Sequence, residues 1–190
     1  MTVESDEWLA KQARGGDTKA FEEILTRYRV RVFRLCYRMA GNRADADDWT
    51  QECFIRVWTQ LKAFDSDRRF EPWLLKVSAN TCINLAKSRT VRQDRTSPVS
   101  IEEHVIAAPN EQLPLNQTIS NENREAIHSA LAHVSPVLRQ AVALWATENL
   151  TFQELADTLG VPLSTAAQRV RRALIQVRGQ LSKKGFEVKP

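Results

Sequence analysis

Residues 163–184 carry Arg169, Arg171, Arg172, Arg178, Lys183 and Lys184 and no acid. A helix solvated only for solubility mixes the two signs, so a one-sign helix fits a polyanion. Ser164, Thr165 and Gln168 sit in its first turns, beside Arg169. Gln and Arg side chains can read base edges, and Ser and Thr suit phosphates. Catalytic patterns are missing by comparison. His104, His128 and His133 form no HExxH, and no glycine-rich phosphate loop occurs. Cys36, Cys53 and Cys82 contain no CxxC pair and fall on apolar faces of predicted helices. They are expected to be reduced, buried small hydrophobes, with no metal role.

Those cationic residues need a scaffold. Thr151-Phe152-Gln153-Glu154 is a capping box that opens a short helix through Leu155, Ala156 and Leu159. Gly160-Val161-Pro162 makes the turn, and a longer helix follows from Leu163 through Ala166, Val170, Ala173, Leu174, Val177 and Leu181. Ala156 is the small residue that a close helix crossing needs. This is the pattern of a helix-turn-helix whose second helix enters the major groove. Upstream, Ser135-Pro136 opens a helix carrying Leu138, Ala141, Val142 and Trp145.

The first half is also helical. Phe21, Ile24, Leu25, Tyr28, Val32, Leu35, Cys36 and Met39 recur at helical spacing between Asp17, a candidate N-cap, and Gly41, a candidate stop. The opposite face holds Arg27, Arg29, Arg31, Arg34 and Arg38. Asn42 caps a second helix, with Asp45 at the capping-box position and Asp47, Asp48 and Glu52 in its early turns. Acids there suit the helix dipole. A polar loop spans 64–71, and Pro72 suits the first turn of a third helix reaching about Lys87.

From Thr96 to Glu122 the composition shifts. Pro98, Pro109 and Pro114 interrupt it, and it has four acids (Glu102, Glu103, Glu111, Glu122) but no Lys or Arg. It reads as an acidic, mobile linker. The expected architecture is all-α: two small helical domains, 1–95 and 123–190, joined by the flexible linker 96–122, the second being a helix-turn-helix domain. In 190 residues, 43% hydrophobic, a core is readily built. The formal net charge of +4 is small, so its distribution says more than its total. The polar, acidic N-terminus is no signal peptide, no long apolar run spans a membrane, and a cytoplasmic location is expected.

The segment from Gly41 through Asp48-Trp49-Thr50-Gln51-Glu52 to Trp58 closely resembles the core-binding segment of extracytoplasmic-function (group 4) RNA polymerase sigma factors. Phe70-Glu71-Pro72-Trp73-Leu74-Leu75-Lys76-Val77-Ser78-Ala79-Asn80 resembles their promoter-melting and minus-ten-reading segment. Gly16-Asp17-Thr18-Lys19-Ala20-Phe21 is similar to their usual opening. Leu138-Arg139-Gln140-Ala141-Val142 and Glu154 through Pro162 follow their minus-thirty-five domain. Overall the chain is also similar to relatives of the cobalt–nickel resistance type.

The resemblance implies that 1–95 is sigma domain 2 and 123–190 is sigma domain 4. Asp48, Gln51 and Glu52 would grip core RNA polymerase, an acidic and amide-bearing face suiting a basic partner helix. Arg68, Arg69, Phe70, Trp73, Lys76 and Asn80 would meet the minus-ten DNA. Opened strands need aromatic stacking and a basic groove, and residues 68–95 hold Arg68, Arg69, Lys76, Lys87, Arg89, Arg92 and Arg95 against Glu71 and Asp94. Ser164, Thr165, Gln168, Arg169, Arg171 and Arg172 would meet the minus-thirty-five DNA. The family's recognition helix usually reads Gly-Thr-Val-Lys-Ser-Arg, where this chain has Ser164-Thr165-Ala166-Ala167-Gln168-Arg169, a departure that bears on promoter choice. The implied partners are core RNA polymerase, promoter DNA and a membrane-tethered anti-sigma factor whose amphipathic helix inserts between the domains. No cofactor, no small-molecule substrate and no catalysis are expected. The competing reading is a helix-turn-helix regulator independent of polymerase; it would need a sensor domain, and residues 17–90 show no ligand-pocket signature.

Overall fold

A computed structural model describes residues 4–95, 121–148 and 150–186. Every regular element among them is helical: α1 (Asp6–Arg14), α2 (Thr18–Ala40), α3 (Arg43–Gln60), a 3-10 turn (Leu61–Ala63), α4 (Phe70–Arg95), α5 (Asn121–Ala132), α6 (Pro136–Glu148), α7 (Phe152–Leu159) and α8 (Leu163–Lys183). The expected linker falls almost wholly on 96–120, outside the described residues, as does His104.

The helix ends follow local chemistry. Asp17 Oδ1 accepts from the amides of Lys19 and Ala20 and opens α2, while Gly41, at φ +86°, closes it. Asn42 Oδ1 accepts from the Asp45 amide and opens α3. The reciprocal half of that expected capping box is absent: the Asp45 carboxylate instead takes Asn42 Nδ2 and Arg89. Thr151 and Glu154 do form a complete capping box.

Two elements depart from the sequence reading. The acidic N-terminus forms a helix, α1, because it docks. Leu9, Ala10 and Ala13 are buried, the Tyr28 hydroxyl donates to Asp6 at 2.5 Å, Arg27 pairs with Asp6 at 2.8 Å, and Glu7 accepts from the Phe70 amide at 3.1 Å. That last bond caps the start of α4, which begins at Phe70 rather than at Pro72 and runs to Arg95 rather than Lys87.

The halves pack directly on one another. The buried cluster of α1 to α4 continues without a break into Ala141, Ala143, Leu144, Leu155, Ala156, Ala166 and Val170 of α6 to α8. A smaller cluster, Leu131, Val134, Val142 and Ala173, ties α5 to α6 and α8. At about 1.5–3 kcal/mol for each large apolar side chain removed from water, this shared core holds the two halves closed.

Candidate nucleic-acid interface

In the second half, α7, the turn and α8 form the expected helix-turn-helix. Gly160 adopts φ +66°, and its amide returns to the Ala156 and Asp157 carbonyls. Ala156, Leu155, Ala166 and Val170 are buried between the helices, and Leu159 is half-buried. With those residues inward, the 3.6-residue period of α8 turns Ser164, Gln168 and Arg172 outward on one face, and all three are exposed. Thr165 and Arg169 flank that face and are half-buried. Arg171 lies on the other flank. It lines an apolar groove of about 260 Å³ with Trp145, Phe152, Leu174, Ile175 and Arg178. Nothing in the sequence reading singled out this groove. Leu174, which the sequence placed in the apolar series of the last helix, is instead 43% exposed and lines the groove beside Ile175.

In the first half, Asp48, Gln51, Glu52 and Ile55 stand at i, i+3, i+4 and i+7 on α3. Asp48 and Gln51 are exposed, and Glu52 is half-exposed with Arg56 at 4.0 Å. Ile55 is 57% exposed, so the acid-and-amide face ends in an apolar side chain that the sequence reading missed.

The expected minus-ten residues divide. Trp73, Lys76 and Asn80 of α4 line an open cleft of about 380 Å³ together with Arg56, Gln60 and Asn84. Arg68 and Arg69 are exposed on the loop before α4, Arg68 paired with Asp65 at 3.4 Å. Phe70 must be withdrawn as a DNA contact. It is 0% exposed and packs edge-on against Tyr28 and Phe64, with Trp73 at 5.7 Å. Its placement follows from α1, which covers the start of α4. Phe64 is buried as well, so of this aromatic group only Trp73 reaches solvent.

Polar contacts bridge the two halves. Arg31 of α2 pairs with Glu71 of α4 at 2.9 Å and with Glu148 at the end of α6, whose side chain is 3% exposed. Burial pushes the Arg38 guanidinium, also on α2, below its usual value, with Glu148 countering. Arg139 of α6 donates to the Met39 carbonyl at 2.7 Å and to the Ala132 and Val134 carbonyls at 2.8 and 2.9 Å, capping the C-termini of α2 and α5. Burial and then the like charge of Arg89 lower the Arg139 pKa. Tyr37 and His128 meet edge to face at 4.3 Å. A Cβ on Gly160 would lie 3.0 Å from Lys76 Nζ, so the ammonium rests against the turn between α7 and α8.

The arrangement defines a class: an all-helical protein in which a helix-turn-helix packs against a second helical half. The family model for sigma-70 region 2 matches residues 24–92, and that for sigma-70 region 4 matches residues 124–177. The ECF RNA polymerase sigma-E factor of Escherichia coli is 30% identical over 178 residues, which are 89% of this chain and 90% of that protein. The chain belongs to the ECF RNA polymerase sigma factor family. Among solved structures, CnrH in complex with the cytosolic domain of CnrY superposes with a TM-score of 0.65 at 22% identity, covering 95% of this chain and 99% of that one. The sigma factor RpoE in complex with the anti-sigma factor NepR from Bartonella quintana gives 0.65 at 19% identity over 86% and 98% of the two chains. Both share the fold. No described helix is long and apolar enough to cross a membrane.

Proposed function

We propose that this sigma factor binds core RNA polymerase through the α3 face of Asp48, Gln51 and Glu52, with Ile55 at its end. The same chain then directs initiation at its own set of promoters. The observation that carries the reading is the pairing, in one chain, of that exposed acid-and-amide face with a helix-turn-helix whose outer face is Ser164, Gln168 and Arg172. A DNA-binding regulator working alone has no use for the first feature. Arg68, Arg69, Trp73, Lys76 and Asn80 contact the minus-ten DNA, and Ser164, Thr165, Gln168, Arg169, Arg171 and Arg172 the minus-thirty-five DNA. The domains assigned to these tasks are 1–95 and 123–190, with 96–122 between them. The chain supplies binding and targeting, not catalysis, and works in the cytoplasm.

An anti-sigma factor, membrane-tethered, holds it inactive. The fold-level likeness to two sigma factors solved with partner proteins supports this reading. Since the halves already touch, an amphipathic inhibitor helix would replace their direct packing rather than fill a gap. Within the family we place the chain beside the cobalt–nickel resistance type, on overall resemblance of sequence. Gel filtration with purified core polymerase tests the main reading: a stoichiometric complex is expected, and separate elution would refute it.

A further inference from the structure

Three cysteines that lie far apart in the chain converge in the core of the first half. Cys36 comes from α2, Cys53 from α3 and Cys82 from α4, and each is 0% exposed. Their sulfurs are mutual neighbours: 3.7 Å for Cys36–Cys53, 3.6 Å for Cys36–Cys82 and 3.9 Å for Cys53–Cys82. The point equidistant from all three lies about 2.2 Å from each sulfur, close to the ~2.3 Å of a metal–thiolate bond. A disulfide is a poor description of this triangle, since it would join one pair and strand the third thiol. We propose that Cys36, Cys53 and Cys82 form a binding site for one thiophilic ion held by three sulfurs, of the class of monovalent copper or trivalent arsenic.

The surroundings select that class. Among the described residues no His or carboxylate joins the cluster, so it does not fit the oxygen-rich shells of magnesium or calcium. Zinc wants a fourth ligand. Soft thiolates without nitrogen or oxygen partners favour a soft ion content with three. The site is also more polar than an ordinary patch of core. The Cys53 thiol approaches the Ser78 carbonyl at 3.5 Å, and the Ser78 hydroxyl is buried without a hydrogen-bond partner.

Binding is ligand exchange without oxidation or reduction. With monovalent copper, three S–H bonds break, three sulfur–copper bonds form and three protons leave to water. With arsenous acid, each new sulfur–arsenic bond releases one hydroxyl, which departs as water with the thiol proton, and the buried product is neutral. The two routes differ in the charge left in the core, −2 against zero by counting ligands, and burying charge is costly. Either ion would pin α2, α3 and α4 together, the helices that carry the α3 face and the minus-ten cleft.

The test uses the reduced full-length chain under anaerobic conditions. It is titrated in separate arms with a cuprous acetonitrile complex, with arsenite and with zinc. Native mass spectrometry should show one copper or arsenic per chain, with zinc at least about tenfold weaker. X-ray absorption should show three sulfurs and no lighter ligand. Ligand should raise the melting temperature of the wild type, because the folded state gathers the three sulfurs that the unfolded chain holds apart. Cys36→Ala, Cys53→Ala and Cys82→Ala should each abolish the uptake. If an alanine variant loosens the core, the wild-type absorption spectrum still decides. Failure of both copper and arsenite to bind, preferred four-coordinate zinc, or uptake undiminished in the variants would overturn the assignment. None of these results bears on polymerase binding, which gel filtration reads separately.

Discussion

Gln140 of α6 donates from Nε2 to Oδ1 of Asn80 on α4 at 3.3 Å. Gln140 is 2% exposed, while Asn80 lies at the open edge of the cleft it shares with Trp73 and Lys76. The residue assigned to the minus-ten DNA is therefore engaged by the half assigned to the minus-thirty-five DNA. Lys76 is in the same position, resting against Gly160. In this arrangement Gln140 and the turn at Gly160 occupy one side of the cleft.

Opening the interface should consequently free the cleft. Glu148 is the lever, because its carboxylate is nearly buried and answers Arg31. Removing one partner of a buried pair costs about 3–5 kcal/mol, and the partial exposure of Arg31 discounts this to roughly 1–3 kcal/mol. Glu148→Ala should enlarge the radius of gyration in small-angle scattering and tighten binding of a single-stranded minus-ten oligonucleotide. Unchanged scattering together with unchanged oligonucleotide affinity would show that the interface does not gate the cleft.

The α3 face makes a second prediction. Glu52→Lys, Gln51→Ala and Ile55→Ser alter side chains that are exposed or half-exposed. Each should weaken core polymerase binding, with melting temperature within experimental spread of the wild type. Surface changes of this kind usually shift stability by only about 0.5 kcal/mol. Wild-type affinity in a surface-plasmon measurement of all three would remove the face from the binding surface.

For promoter reading, Gln168 and Arg169 stand apart from Lys183. As base-reading side chains, each should cost about 1–3 kcal/mol of binding when truncated, in Gln168→Ala or Arg169→Ala, and relax specificity at one upstream position. Lys183→Ala, an exposed cation at the far end of α8, should weaken all sequences alike and lower the salt slope by about 1. Binding to a randomised upstream library separates the outcomes; a uniform weakening in Arg169→Ala makes that residue a phosphate ligand.

The capping box at Thr151 predicts a pH dependence. The Thr151 amide, then its hydroxyl, hold the Glu154 carboxyl below its usual value. A depressed carboxylate stabilises above its unfolded pKa, near ~4.3, and that contribution is lost as pH falls through the folded value. Glu154→Ala should lower stability at pH 7, and the gap from wild type should narrow as pH falls through the folded value. A gap independent of pH would assign the loss to helix propensity instead.

What the sequence could show was local. Asp17, Asn42, Thr151, Gly41 and Gly160 end helices through contacts within four residues, so their types at their spacing were sufficient. The helix-turn-helix was legible for the same reason, and so was the all-α class. Helix α1 was not, because its inward residues are Leu9 and two alanines and its ion pair and hydrogen bonds go to Arg27, Tyr28 and Phe70. The burial of Phe70 depends on α1 and was hidden with it. Arg31 and Glu148 are 117 residues apart, and Arg139 and Met39 are 100 apart, distances at which no periodicity operates. Cys36, Cys53 and Cys82 each read correctly as buried; only packing of three helices reveals that they meet.

The most direct test of the central claim is transcription in a purified system. Core polymerase, the full-length chain and a fragmented genomic template are combined, and the transcript 5′ ends are sequenced. The chain should produce a discrete set of starts absent with core alone, sharing paired upstream elements. Glu52→Lys should abolish the whole set, and Gln168→Ala should redistribute it. A set of starts identical to that of core alone would contradict the assignment of this chain as an initiation factor.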